Sequence, residues 1–237
     1  MRTTRLVLLP GMDGTGILFE PLLENLPPEL EAKVVSYPAK RPCGYEDLIG
    51  LVKAALPKDG PFILLGESFS GPLAIMAAHA QPPGLEGIVL CASFARSPLP
   101  WFERFSEVLI TPAMLAMAPA FLKARLLLGA SATPHLRSLF SRAEALVSPD
   151  VIVARIKAVL RVDVSDELRR CPVPVLYLRA DHDRLVPARC SQLIAECKPD
   201  SQVVSISAPH LLLQTNPVDA IAAIRRFIEQ RHKTPAA

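Results

Sequence analysis

The segment Phe62-Ile-Leu-Leu-Gly66-Glu67-Ser68-Phe69-Ser70-Gly71-Pro72 places a serine where an apolar run gives way to a helical pattern. A strand runs into Gly66, the chain turns at Ser68, and a helix leaves from about Phe69. Such a turn holds the serine in a strained conformation with its hydroxyl exposed above the sheet edge. The residues two before and two after must be small, because strand and helix pass close together there. Gly66 meets that need. Ser70 stands where the pattern G-x-S-x-G has its second glycine, and the turn is expected to tolerate the extra methylene and hydroxyl. A serine hydroxyl is a weak nucleophile until a base takes its proton, and that base needs an acid to orient it.

Five histidines could supply the base: His79, His135, His182, His210 and His232. His210 follows the last apolar run, in Ser207-Ala-Pro-His210-Leu, just before the final helical pattern. In a parallel sheet all strand C-termini lie along one edge, so this loop emerges on the same side as Ser68. His79 falls within the helix after Ser68, His135 in a later helical stretch and His232 in the tail, where solvated or packing roles are expected. The acid should come from the loop after the preceding strand, which reads Arg179-Ala-Asp181-His182-Asp183-Arg184-Leu-Val186-Pro187. Asp181 and Asp183 both qualify. Asp183 lies farther past the strand end and can reach across to His210, whereas Asp181 and His182 suit the turn itself. Asp163 and Asp166 are the alternatives.

The elements that must position these groups are short apolar runs alternating with helical spacing. Candidate strands are 6–9, 34–37, 62–65, 88–92, 175–178 and 203–206. Most are continuously apolar, as expected where helices cover both faces of a parallel sheet. Asn216 as N-cap and Pro217 at the first position open the last helix, with Ile221, Ile224 and Ile228 on its apolar stripe. This alternation predicts a doubly wound α/β fold of six parallel strands with flanking helices. From about Phe94 to Arg170 no strand is evident, only helical material rich in Leu, Ala and Met. That stretch, 94–170, reads as a helical cap inserted into a core formed by 1–93 and 171–237. Most of its apolar residues should pack the cap down, and some, such as Trp101, Met114, Met117 and Phe121, should line a substrate pocket.

The order Ser68, Asp183, His210, each on its loop, resembles the α/β-hydrolase superfamily over nearly the whole chain. Pro10-Gly11-Met12-Asp13-Gly14-Thr15-Gly16, after the first strand, looks like that family's oxyanion loop. The resemblance implies that the backbone N–H groups of Met12 and Phe69 bind the developing oxyanion. It also implies a helical cap where the strand pattern fails, and a minimal six-stranded sheet that starts at the oxyanion strand. On this resemblance the expected activity is that of a serine hydrolase cleaving a carboxylic ester or thioester of an apolar acyl group through an acyl-enzyme. The two loops also look like those of acyltransferases that esterify long-chain alcohols, so transfer to an alcohol is the alternative. A non-catalytic small-molecule-binding member of the fold is a third reading. A serine nucleophile excludes the dehalogenase and epoxide hydrolase chemistries, which in this superfamily use aspartate.

Composition narrows the field further. The 237 residues carry 26 Lys and Arg against 23 Asp and Glu, a net charge of +3, and half are apolar, which excludes a disordered segment. No run rich in Lys and Arg suggests nucleic-acid binding. The glycine loop is spaced G-x-x-G-x-G with no Lys-Ser/Thr after it, which argues against a dinucleotide site or a P-loop. No metal or organic cofactor is called for. The start has too short an apolar run for a signal peptide, and the stretch 108–122, broken by Pro112 and Pro119, is too short to span a membrane. Five scattered cysteines fit free thiols in a reducing cytoplasm. An exposed apolar cap could pair across a two-fold axis as a homodimer.

Overall fold

The computed structural model describes residues 4–99, 110–117 and 119–233. Six strands, β1 (Thr4–Leu9), β2 (Leu30–Val34), β3 (Phe62–Glu67), β4 (Leu85–Cys91), β5 (Val175–Ala180) and β6 (Gln202–Ile206), form one sheet in the order β2-β1-β3-β4-β5-β6. Every pairing is parallel. The inner strands are apolar at nearly every position because both faces are covered. Val7, Leu9, Leu64, Leu90 and Tyr177 face one cluster with α2 (Tyr45–Ala55) and α3 (Gly71–His79). Leu6, Leu8, Leu65, Val89 and Leu178 face the other, against Ala220, Ile224 and Phe227.

The second strand departs from the expectation of 34–37. It runs through Leu30-Glu-Ala-Lys-Val34, an edge strand whose side chains alternate between cover and solvent. An edge strand buried on one side need not be apolar throughout, so its charged members masked it in the sequence. The apolar run that looked like a strand continues past it into a connection: Tyr37 is buried and donates its N–H to Gly14 O at 2.7 Å.

Short helices complete the layers around β1 and β2, beginning with α1 (Glu20–Glu24). The described residues between β4 and β5 include the helices α4 (Pro112–Met117), α5 (Ala120–Leu128), α6 (Pro134–Leu146), α7 (Pro149–Arg161) and α8 (Ser165–Arg169), with one isolated antiparallel bridge between Arg96 and Asp163. Thr133 caps α6 by accepting the Leu136 N–H, and Pro134 and Pro149 occupy first-turn positions where no N–H is needed. The chain leaving β4 and the chain returning to β5 are joined by paired backbone hydrogen bonds, Ser97 N to Val162 O at 2.9 Å and Val164 N to Ala95 O at 2.8 Å. Phe94, Ala95, Val164 and Leu168 pack in the same cluster as the sheet. After β5 come α9 (Arg189–Cys197), β6, α10 (Leu212–Thr215) and α11 (Pro217–Lys233), the last starting at the predicted Pro217. No helix among the described residues is long and apolar enough to cross a membrane.

Candidate active site

Ser68 sits at the C-terminal end of β3 with φ +48°, a left-handed conformation that an L-residue adopts at a cost of roughly 1–3 kcal/mol. The surroundings enforce it. A Cβ added at Gly66 would lie 2.5 Å from the Ser70 carbonyl oxygen, so only glycine lets β3 and α3 approach this closely. Ser93 Oγ donates to the Ser68 carbonyl at 2.5 Å, and Tyr177 Oη in turn donates to the Ser93 carbonyl at 2.8 Å. Ala92, also at positive φ (+46°), turns the chain at the end of β4 to present Ser93 there. Ser70 does more than fit. Its hydroxyl donates to the Pro10 carbonyl and lies 2.7 Å from Tyr37 Oη, so the elbow is tied to the loop after β1. Burial raises the Tyr37 phenol well above its ordinary pKa and keeps it protonated.

His210 lies in the loop after β6 and is 3% exposed. Its Nε2 is 2.8 Å from Ser68 Oγ and its Nδ1 is 2.8 Å from Asp183 Oδ2. With the proton on Nδ1 held by the carboxylate, Nε2 is the acceptor for the serine hydroxyl. Asp183 Oδ1 accepts the N–H groups of Leu185 and Val186 at 2.8 and 2.9 Å, which orients Oδ2 toward His210. The other acids considered lie elsewhere. Asp181 pairs with Arg179 at 3.2 Å, Asp163 with Arg96 at 2.7 Å and with Ser165, and Asp166 with Arg169. His182 Nε2 is 3.2 Å from Ser207 Oγ, and His135 lies 3.8 Å from Glu20. Of these residues the structure brings Ser68, His210 and Asp183 together.

The loop after β1 crosses beside Ser68. Asp13 Oδ2 accepts the Thr15 N–H at 2.8 Å, Gly14 N–H bonds to Gly11 O at 3.1 Å, and Gly14 and Gly16 take φ of +71° and +79°. Phe69 is fully buried, its ring stacked on Tyr45 at 4.7 Å, and Tyr45 Oη donates to the Phe69 carbonyl at 3.0 Å. Met12 is half-buried against the same cluster.

Three participants escaped the sequence reading. Arg155, on α7, is fully buried; Nη1 donates to Met12 O at 2.9 Å and Asp13 O at 2.8 Å, and Nη2 donates to Pro38 O at 3.0 Å. The readable signal was a cation at the middle of the buried row Val151, Arg155, Val159, spaced four apart on one helix face. Burial lowers its pKa from the usual arginine value, and nearby Asp13 works against that shift. Glu67, the last residue of β3, is 2% exposed and takes the Gln214 Nε2–H at 2.8 Å. Desolvation raises it to about 7, opposed in part by the Gln214 hydrogen bond. Ser93 gave no signal, since its partner is a carbonyl 25 residues away.

The candidate pocket residues are differently placed. Met114 and Met117, on α4, are 45% and 83% exposed. Trp101 lies outside the described residues, and Phe121 falls in α5 with its side chain outside the description.

Known proteins resemble this chain over nearly its whole length. The pimeloyl-[acyl-carrier protein] methyl ester esterase of Xanthomonas oryzae pv. oryzae (strain MAFF 311018) is 26% identical over 242 residues, covering 94% of each chain. The protein of that name from Neisseria meningitidis serogroup C is 26% identical over 243 residues, covering 95% of this chain and 93% of its own. Among solved structures, a lipase-esterase related protein from Clostridium acetobutylicum superposes with a TM-score of 0.79 at 18% identity, over 95% of both chains, and so shares the fold. The sequence profile of the alpha/beta hydrolase family matches residues 6–224, and with this sheet and its six parallel strands the chain belongs to that family.

Proposed function

We propose that the chain is a serine hydrolase that cleaves a carboxylic ester or thioester of an apolar acyl group through an acyl-enzyme. One observation carries the reading: the continuous line of hydrogen-bonding distances, 2.8 Å from Ser68 Oγ to His210 Nε2 and 2.8 Å from His210 Nδ1 to Asp183 Oδ2. In this reading Ser68 Oγ attacks the acyl carbonyl while its proton passes to His210 Nε2. Asp183 fixes the imidazole's tautomer and stabilises the imidazolium that results. The backbone N–H groups of Met12 and Phe69 receive the oxyanion; removing one such donor typically costs about 3 kcal/mol. Collapse expels the alcohol or thiol, which takes the proton from His210. Water, deprotonated by the same histidine, then attacks the acyl-serine and releases the acid. The strained elbow and its Ser93 brace hold Oγ near this geometry before substrate arrives.

The acyl class is proposed from the helical segment 94–170, taken as a cap. Its described surface exposes Met114, Met117, Leu122 and Leu126, a soft apolar set that suits a hydrocarbon chain. Each buried methylene contributes at most about 0.8 kcal/mol. The relatives are pimeloyl-[acyl-carrier protein] methyl ester esterases, which supports ester over amide as the bond broken. All five cysteines are free and buried, which supports a reducing, cytoplasmic setting.

A p-nitrophenyl ester series from acetate to decanoate, run below micelle concentrations, tests both parts. Expected are stoichiometric labelling by a fluorophosphonate, turnover abolished in Ser68→Ala, and kcat/KM rising by two to three orders of magnitude from acetyl to a medium chain. Unchanged turnover in Ser68→Ala overturns the mechanism. A flat series overturns the acyl class. Added alcohol that diverts product to a new ester would make the chain a transferase.

A further inference from the structure

The Arg155 guanidinium is buried against backbone. It projects from α7, in the helical segment, and bonds carbonyls of residues 142 and 143 positions away in the loop after β1. A guanidinium offers a rigid planar fork of donors and no acceptor, so it fits converging carbonyls. Here Met12 O and Asp13 O converge on Nη1, and Pro38 O, in the connection after β2, meets Nη2. The loop is shaped for this guest: a Cβ at Gly14 would come within 2.5 Å of Nη1 and 3.0 Å of Cζ. The same guanidinium lies over the Tyr37 and Phe69 rings, 5.6 and 5.9 Å from their centroids. It therefore touches both residues whose amides the proposed mechanism uses: the carbonyl of Met12 and the ring of Phe69.

We propose that Arg155 is a positioning residue that fixes the oxyanion loop from the helical segment by clamping its carbonyls. The proposal rests on the serine-hydrolase reading for its catalytic consequence, and on the geometry alone for its hold on the loop. Binding the Met12 and Asp13 carbonyls sets the Met12–Asp13 and Asp13–Gly14 peptide planes. The second of these donates its Gly14 N–H to Gly11 O at 3.1 Å, the carbonyl of the peptide that carries the Met12 N–H. A donor amide that is free to rotate aims poorly at a developing charge, and preorganisation is the source of its effect. Arg155 is buried away from solvent, so it acts through the loop and not on substrate.

The experiment compares wild type, Arg155→Met and Arg155→Lys in two measurements: ester kinetics, and amide hydrogen exchange resolved to residues 11–16. Arg155→Met keeps much of the side-chain volume and removes every donor. Expected are a kcat loss of about 30- to 100-fold with KM within about threefold, as when a transition-state interaction is removed. Exchange of the 11–16 amides should rise at least about tenfold while β3 and β4 keep wild-type protection. A role in global stability alone would instead raise exchange across the sheet and leave the kcat of folded protein intact, and that outcome overturns the proposal. If Arg155→Met fails to fold, Arg155→Lys decides. An ammonium cannot span Met12 O, Asp13 O and Pro38 O together, so a smaller loss in kcat with locally faster exchange is expected. Wild-type kcat and wild-type loop exchange in Arg155→Lys overturn the clamp. If wild type cleaves no ester, the hydrolase reading fails, while the exchange data still report whether Arg155 holds the loop.

Discussion

Asp183 and Met12 stand in loops on opposite sides of β3, and the two loops are built differently. The tip of the loop after β5, around Asp183, organises itself. Asp183 takes the N–H groups of Leu185 and Val186, two and three residues on, while Asp181 N–H bonds to Ile206 O on the neighbouring strand. The loop after β1 has its own Asp13–Thr15 turn, but its carbonyls are held from outside. Ser70 reaches Pro10 O from 60 residues away, and Arg155 reaches Met12 and Asp13 from more than 140. A self-made loop keeps its shape when one distant part fails. A loop held from outside inherits the fate of whatever holds it, here a helix of the segment between β4 and β5.

The largest effect should come from the self-made loop, and it should be chemical. Asp183→Asn keeps an oxygen for the Leu185 and Val186 amides, so the loop and the melting temperature should change little. The amide favours the wrong histidine tautomer, and kcat should fall about 10³- to 10⁴-fold. A large drop in melting temperature would show that the loop depends on the carboxylate's charge and is less autonomous than its hydrogen bonds indicate.

Gly14→Ala attacks the other loop. The new Cβ meets the Arg155 guanidinium and sits at φ +71°, so about 3 kcal/mol of stability should be lost, with kcat down at least about tenfold. Denaturant unfolding and ester turnover measure the two. A loss of stability with kcat retained would uncouple the loop from the chemistry.

Glu67 lies between the loops, bonded to Gln214 of α10 and 3.7 Å from where a Gly11 side chain would begin. Its pKa is raised in the folded protein from 4.5 to about 7. Between those values the unfolded chain releases the proton and the folded protein keeps it. Stability therefore falls as pH rises through this window, by about 3 kcal/mol above pH 7. Glu67→Gln should abolish this slope, matching wild type at pH 4 and exceeding it at pH 8. Thermal melts at the two pH values are the check. A wild-type slope in the variant would assign the titration elsewhere.

The smallest effect belongs to Asp181→Asn, two residues from Asp183. Its half-exposed pair with Arg179 should contribute less than about 0.5 kcal/mol, and kcat should stay within about threefold. A loss comparable to that of Asp183→Asn would redraw the acid loop.

The amino-acid sequence by itself pointed to Ser68 as the proposed nucleophile and His210 as its base, and for the acid it preferred Asp183 over Asp181. The signals are local: Ser68 stands between small neighbours at a strand end, Asp183 lies farther past an apolar run than Asp181, and His210 comes just before the last helical pattern. The periodicity of a parallel sheet then requires their loops to share an edge. Most strands were legible for the same reason, since inner strands must be apolar throughout. The edge strand β2 was not, because a strand covered on one face carries charges within it. Only the tertiary structure decided what holds the loop after β1. Arg155, Ser70 and Tyr37 meet across dozens to more than a hundred residues, and Ser93 braces the elbow through a carbonyl. A hydrogen bond to a backbone carbonyl leaves no mark on its acceptor's identity, because every residue has one. The sequence can therefore show that a buried arginine must find acceptors, and the fold alone chooses which.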